Sequence, residues 1–431
     1  MNNIFVTEPK GLSSKVLEKS VQRLLCQFPT ARKVLVVPPD FTRCYSGAGR
    51  LTRLIYERLT AAGTQVQVMP ALGTHMPMSQ EEQKVFFEGA VPPQAVLEHH
   101  WQKDTLTLGV VPKEFVSQIS GGLYAQEIEV ELNHLLLDGG YDLILSIGQV
   151  VPHEVVGMAN YSKNLFVGLG GREMINKSHM LGAICGIEQT LGVTDSPVRK
   201  LYDYAQQHFL DGKLPIVFVH TVTTRHDDEV KINGLYISEG REAFERAASL
   251  SQALNIVHLS RPVKKMVAYL NPEEMKTTWV GNKAVYRTRM AIQDGGELLV
   301  LAPGVCAFGE NEEMDRMTRQ YGYTGREHIM KLFHQGVFEG RTMSAAHLIH
   351  GSSDGRFTIT YATFPEKLSR QEIEKVGYQW ADYTRTAERY NPKTMREGWN
   401  TFSDGEEIYY VGTPALGLWK CDDFGEEDGE K

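Results

Sequence analysis

Apolar residues along the chain recur at two alternating periods. The run KVLVVPPD is a short apolar strand candidate that ends in proline and aspartate. GRLTRLIYERLTAAG follows with apolar residues at helical spacing and a closing glycine. QVQVMPALGTH alternates as a second strand and ends in a glycine-containing loop, and YDLILSIGQVVPH repeats the pattern a third time. Strands separated by helices predict an α/β fold with a mostly parallel sheet covered on both faces. In such a sheet ligands bind beyond the carboxyl ends of the strands, so the loops after these three strands should share one rim. Those loops carry Asp40, Thr42 and Arg43; His75; and His153.

A second unit is expected from about Arg261-Pro262. KKMVAYL and GGELLVLAPG are strand candidates with the helix-like GNKAVYRTRMAIQ between them. GRFTITYAT is a further alternating strand, and SRQEIEKVGYQWADYTRTAER has a helical pattern. EEIYYVG is a late strand that could return to the first domain. The expected layout is two α/β domains with a cofactor and substrate cleft between them. The first would be residues 1–262, with 408–431 as a possible completion, and the second residues 263–407. The acidic end, DDFGEEDGEK, has the composition of a frayed tail.

With 431 residues, 42% hydrophobic and 23% charged, the chain can bury a sizeable core. A net charge of -8 argues against general binding to nucleic acid or anionic membrane, which needs clustered Lys and Arg. A small anionic substrate needs only one or two local cations. No stretch approaches the roughly 18 continuous apolar residues of a membrane span. The start has no basic segment followed by an apolar run, so it does not read as a signal peptide. Cys26, Cys44, Cys185, Cys306 and Cys421 are scattered and contain no C-x-x-C pair, which suits a reducing cytoplasm.

Three stretches could carry chemistry. PPDFTR offers a carboxylate, a hydroxyl and a guanidinium fork, although a capped turn with a surface arginine would look the same. LGTHMPMS places His75 after a strand, as a general acid/base or as a partner of nearby backbone. VVPHEVVGMANYSKNLFVGLGGREMINKSHM is the most concentrated. It sets His153, Lys163 and His179 among small, apolar and glycine residues, where polar groups are costly unless partnered. Its Gly170-Gly171 pair precedes a helix-like run, a pattern that can also bind phosphate. A solvated lysine and a helix-surface histidine would satisfy the same letters.

In order and spacing these pieces resemble the lactate racemase family, the nickel-pincer-nucleotide enzymes. The match comprises D-x-T-R at Asp40 to Arg43, G-T-H at Gly73 to His75, P-H at Pro152-His153, Lys163 ten residues on, and His179 sixteen further. The resemblance implies that Lys163 carries the nickel-pincer nucleotide, a pyridinium-3-thioamide-5-thiocarboxylic acid mononucleotide, through a thioamide. His179 would ligate nickel beside the two sulfurs and a ring carbon, a donor set that suits planar Ni(II) better than zinc. His75 and His153 would be the acid/base pair. Asp40, Thr42, Arg43, Gly170 and Gly171 would help hold the cofactor, with Arg43 shared with the substrate.

The implied reaction inverts C2 of a 2-hydroxy acid. Its C2 hydrogen is too weakly acidic for histidine, but departs more easily as hydride to an electron-poor acceptor while the hydroxyl loses its proton. Partners would be that small anionic substrate and the proteins that make and load the cofactor.

Two departures stand out. Asn160, Tyr161 and Ser162 replace a glycine pair expected shortly before the lysine. The family's Y-Q-x-x-K element appears as VYRTRM: Tyr286 matches, Arg287 replaces glutamine and Met290 falls at the lysine position. Arg289 lies one residue earlier. Tyr286, Arg287 and Arg289 are therefore candidate substrate contacts, and two arginines suit an aldonic or dicarboxylic hydroxy acid better than lactate. The alternative is that both arginines are solvated on an exposed helix face. HLIHGSSDGRF could be a further ligand loop or a turn. Two other functions stay open: a zinc or iron hydrolase built on His75, His153 and His179, and a non-catalytic protein that binds a hydroxy acid or nucleotide.

Overall fold

The structure is a computed structural model and describes residues 1–226 and 229–421. The described residues divide into two compact units, one from Met1–Cys185 and Gln189–Asn255, the other from Gly186–Glu188 and the residues from Ile256 on. No helix among the described residues is long and apolar enough to cross a membrane.

The first unit contains a six-stranded sheet. Its strands are β1 (Ile4–Thr7), β2 (Lys33–Val37), β3 (Gln65–Val68), β4 (Leu143–Gln149), β5 (Ile216–His226) and β6 (Glu229–Ser238). Their order across the sheet is β1-β6-β5-β4-β2-β3. Strand β2 pairs in parallel with β3 and β4, and β4 with β5, while β6 adds to β5 and β1 to β6 in antiparallel fashion. Alternation sorts the side chains of the parallel strands. Val34, Val36, Leu145 and Ile147 join a core cluster with Leu17 and Val21 of α1 (Ser14–Leu25) and Leu51 and Ile55 of α2 (Ala48–Ala61). Leu35 and Ile144, pointing the other way, are fully buried too. Each such aliphatic side chain removed from water is worth about 1.5–3 kcal/mol. A sheet buried on both faces exposes its carboxyl edge as the accessible place for polar loops.

The second unit has its own six-stranded sheet. It comprises β7 (Val263–Tyr269), β8 (Ile292–Leu301), β9 (Thr358–Thr363), β10 (Gln379–Asp382), β11 (Gly398–Thr401) and β12 (Glu407–Val411), in the order β10-β9-β8-β7-β12-β11. All pairings are parallel except β11 with β12.

Three expectations change. The strand at 407–411 pairs with β7, so it belongs to the second unit and does not complete the first. Residues 412–421 of the proposed completion also fall in the second unit, and 422–431, with the acidic tail, lie outside the described residues. The continuous part of the second unit begins at Ile256 rather than near Arg261, and Ile256–Leu259 pairs with Leu418–Cys421. The run from Ser369 to Arg389 is not one helix but a helix (Arg370–Lys375), strand β10 and a second helix (Tyr383–Arg389). A capping box of Ser369 and Glu372 starts the first helix, and Gly377 at φ +95° turns the chain out of it.

Candidate active site

Because β3, β2 and β4 run parallel, the loops that follow them leave from one sheet rim. After β2, Asp40 caps a short 3-10 helix (Phe41–Ser46) by accepting from the Thr42 amide at 3.1 Å. The Thr42 hydroxyl donates to the same carboxylate oxygen at 2.6 Å, and the other oxygen lies 2.6 Å from His75 Nδ1. Burial pushes the Asp40 carboxyl up, but the His75 imidazole, Thr42 and Arg43 outweigh it and hold the group below its ordinary value. An ionised Asp40 fixes the proton of neutral His75 on Nδ1 and leaves the lone pair on Nε2. Asp40 and Thr42 were expected to hold cofactor. In this structure Thr42 occupies one carboxylate oxygen of Asp40 and His75, from the loop after β3, occupies the other, so the pair orients His75.

His153 sits in a two-residue hairpin strand (Pro152–His153, paired with Gly157–Met158) and is 7% exposed. Its Nδ1 accepts from the Val155 amide at 3.1 Å, so neutral His153 carries its proton on Nε2. The two histidines are thus held in opposite tautomers. Glu154, which sequence inspection missed, lies with a carboxylate oxygen 3.9 Å from His153 Nδ1. It also acts electrostatically on Arg43, Lys163 and His179.

Lys163 opens α3 (Ser162–Phe166). Burial and the neighbouring Arg43 push its ammonium down to about 7, with Glu154 opposing. It lines a cavity of about 20 Å³ with Arg43, Gln149, Asn160 and Asn164. The Asn160 carboxamide oxygen is buried and finds no hydrogen-bond partner among the described residues. His179 lies in α4 (Arg172–Cys185) and donates from Nδ1 to the Ile175 carbonyl at 2.7 Å. Burial holds it down to about 4, so it is a neutral imidazole with its lone pair on Nε2. Lys163 and His75 both act electrostatically on it. The structure therefore gathers residues 75, 163 and 179 at one rim, with His153 joined through Glu154.

Gly170 and Gly171 do not open an anion site. The Glu131 carboxylate already caps α4, accepting from the amides of Glu173 at 2.7 Å and Met174 at 3.2 Å. A carboxylate at that helix end both fills the amides and repels a phosphate. Gly170 is needed for packing, since a Cβ there would meet the Phe166 carbonyl oxygen at 1.9 Å.

Tyr286, Arg287 and Arg289 belong to the second unit, on or beside α5 (Lys283–Thr288). Arg287 and Arg289 are 1% and 2% exposed, which rules out the solvated helix face. Arg289 pairs with Glu188 at 2.7 Å and donates to the carbonyls of His350 and Ser352. Arg287 reaches toward the Gly417 carbonyl at 3.4 Å, and the Tyr286 hydroxyl lies 3.0 Å from His347 Nδ1. Arg289 is thereby committed inside its own unit, so its part in a substrate clamp loses support. His347 and His350 end the helix Thr342–His350, so HLIHGSSDGRF is a helix end followed by a turn.

Residues 10–192 match the family described as the lactate racemase N-terminal domain. No curated protein matches the chain in sequence. Among solved structures, a protein from Thermotoga maritima is similar at a TM-score of 0.85 and 23% identity, over 97% of this chain and 100% of that one. The lactate racemase apoprotein from Thermoanaerobacterium thermosaccharolyticum is similar at 0.68 and 17% identity, over 94% of this chain and 93% of that one. At these identities the likeness concerns the fold.

Proposed function

From the match of residues 10–192 to the lactate racemase N-terminal domain family, we propose that the chain is an isomerase that inverts C2 of a 2-hydroxy acid. In this reading a nickel-pincer nucleotide is attached at Lys163. The observation that carries it is the convergence of His75, whose Nδ1 is held by Asp40, with a Lys163 amine pushed down to about 7 and a neutral His179.

The residues present fit such a group. Lys163 is available as a free amine near neutral pH. The unpartnered Asn160 oxygen lines the same cavity and awaits a donor. His179 has Nδ1 tied to the Ile175 carbonyl, which fixes the ring and leaves the Nε2 lone pair for a metal. When bound, the cofactor would supply a reversible acceptor for the hydride that leaves C2.

The chain's own residues manage the rest. Half-buried Arg43, which lines the cavity with Lys163, would bind the substrate carboxylate. His75 takes the hydroxyl proton on Nε2, and buried Asp40 stabilises the resulting imidazolium. His153 serves the opposite hand, its Nε2–H directed by the Val155 amide behind it. With Arg289 engaged, the preference for an aldonic or dicarboxylic acid rests on Arg287 alone, and Met290 in place of the expected lysine argues only against lactate. The hydrolase alternative needs three protein ligands together. Among the described residues no such His, Cys, Asp or Glu group gathers.

The test is incubation of single enantiomers from a hydroxy-acid panel, each with deuterium at C2, using chain co-expressed with cofactor-synthesis proteins. The proposal expects loss of optical purity, slowed turnover and deuterium retained in the inverted product. Full washout to solvent would contradict hydride transfer. Binding without inversion would favour a non-catalytic role.

A further inference from the structure

Two residues just before Lys163 have backbone that side chains rarely adopt. Asn160 has φ +70° and Tyr161 has φ +57°. Asparagine tolerates that region, but for a bulky tyrosine it is strained unless the surroundings enforce it. Glycine would hold the same loop at no such cost.

The enforcing group is Arg199, on the helix Pro197–Phe209. Its side chain is fully buried, and its guanidinium donates to the carbonyls of Met158 at 2.7 Å and Asn160 at 3.0 Å and to the Ser162 hydroxyl at 2.7 Å. Those three acceptors span the whole turn that leads into Lys163. Ser162 in turn donates to Asp203 at 3.2 Å, and Asp203 pairs with Arg241. The guanidinium lies 4.4 Å from the ring of Phe244. Two further bonds pin the strained side chains: Asn160 Nδ2 to His220 Nδ1 at 2.9 Å, and Gln206 Nε2 to the Tyr161 hydroxyl at 3.0 Å.

We propose that Arg199 is a positioning residue for Lys163, clamping the 158–162 turn so that the amine enters the cavity it shares with Arg43 and Asn160. Fixed hydrogen bonds here replace the conformational freedom of a glycine pair. What Lys163 carries rests on the function proposed above, but the clamp itself does not.

The test uses the chain alone, without cofactor proteins. Amines are acylated with limiting acetic anhydride at pH 7, and the rate at Lys163 is measured by peptide mass spectrometry relative to exposed Lys19. An amine released into water becomes an ordinary ammonium, largely protonated at this pH. Arg199→Ala should therefore lower the relative rate by about tenfold or more. Methylguanidine at millimolar concentration should restore it, and methylammonium, which lacks the planar fork, should not. A folded Arg199→Ala chain with an unchanged relative rate would overturn the proposal. If Arg199→Ala does not fold, Ser162→Ala decides: it removes one acceptor and should lower the rate several-fold. An unchanged rate there would also overturn it. Wild-type labelling with no adduct after co-expression would refute the function and leave the clamp standing.

Discussion

Replacing Asp40 with asparagine isolates the pair that orients His75. Two of the three bonds to Asp40, from the Thr42 amide and hydroxyl, go to one oxygen and survive on a carboxamide oxygen. The third does not, because the new NH2 would face the Nδ1–H of His75. One charge-assisted bond is lost and a donor is left unmatched, which costs about 1.5–3 kcal/mol. The His75 side chain is 35% exposed and can turn toward water, so the lower end, about 1.5–2 kcal/mol, is expected. The pH dependence has a definite sign. Asp40 is held below its unfolded value, so its contribution is complete above that value, around pH 4, and fades as pH falls through the lower folded value. Urea unfolding of both chains should give the full gap at pH 7 and a shrinking gap below about pH 4. In the mutant, ¹⁵N shifts of His75 should lose the single-tautomer signature, and inversion should slow by on the order of 10²–10⁴-fold. A gap under about 0.5 kcal/mol at pH 7 would refute the buried pair. So would a gap that persists unchanged in acid.

Other consequences follow from the same geometry. Gly170→Ala should destabilise the first unit by about 3 kcal/mol or more by thermal unfolding, since the added methyl meets the Phe166 carbonyl oxygen; a loss within about 0.5 kcal/mol would contradict the packing role. Glu131→Ala should cost about 1–2 kcal/mol in the same assay by uncapping α4. Added phosphate should not stabilise the wild-type chain through that helix end. Glu188→Ala should cost about 3 kcal/mol, because it leaves the buried Arg289 guanidinium without its closest carboxylate. A neutral result would return Arg289 to candidacy as a substrate contact.

The parallel strands and the rim they expose were legible because β2, β3 and β4 are short apolar runs ending in chemistry-bearing loops. The order Asp40, His75, His153, Lys163, His179 could be read for the same reason. What escaped depends on contacts distant in sequence. Asp40 looks like a ligand until His75, 35 residues away, is seen on its carboxylate. Gly170 and Gly171 look like a phosphate loop until Glu131 is found capping the helix after them. The arginines at 287 and 289 look solvated or substrate-facing, whereas burial and Glu188 commit Arg289 elsewhere. Glu154 stood beside His153 in plain view. A carboxylate next to an imidazole at a strand end was its only signal. The missing glycine pair before Lys163 did carry information, but its counterpart, Arg199, lies 36 residues downstream of the lysine on another helix.

The most direct measurement is the intact mass of the chain after co-expression with the cofactor-synthesis proteins, with peptide mapping and metal analysis on the same sample. The account predicts an added mononucleotide mapped to Lys163, absent in Lys163→Ala, and nickel that is lost in His179→Ala while the adduct remains. An unmodified Lys163 in a folded chain, beside a control racemase that loads normally under the same conditions, would contradict it.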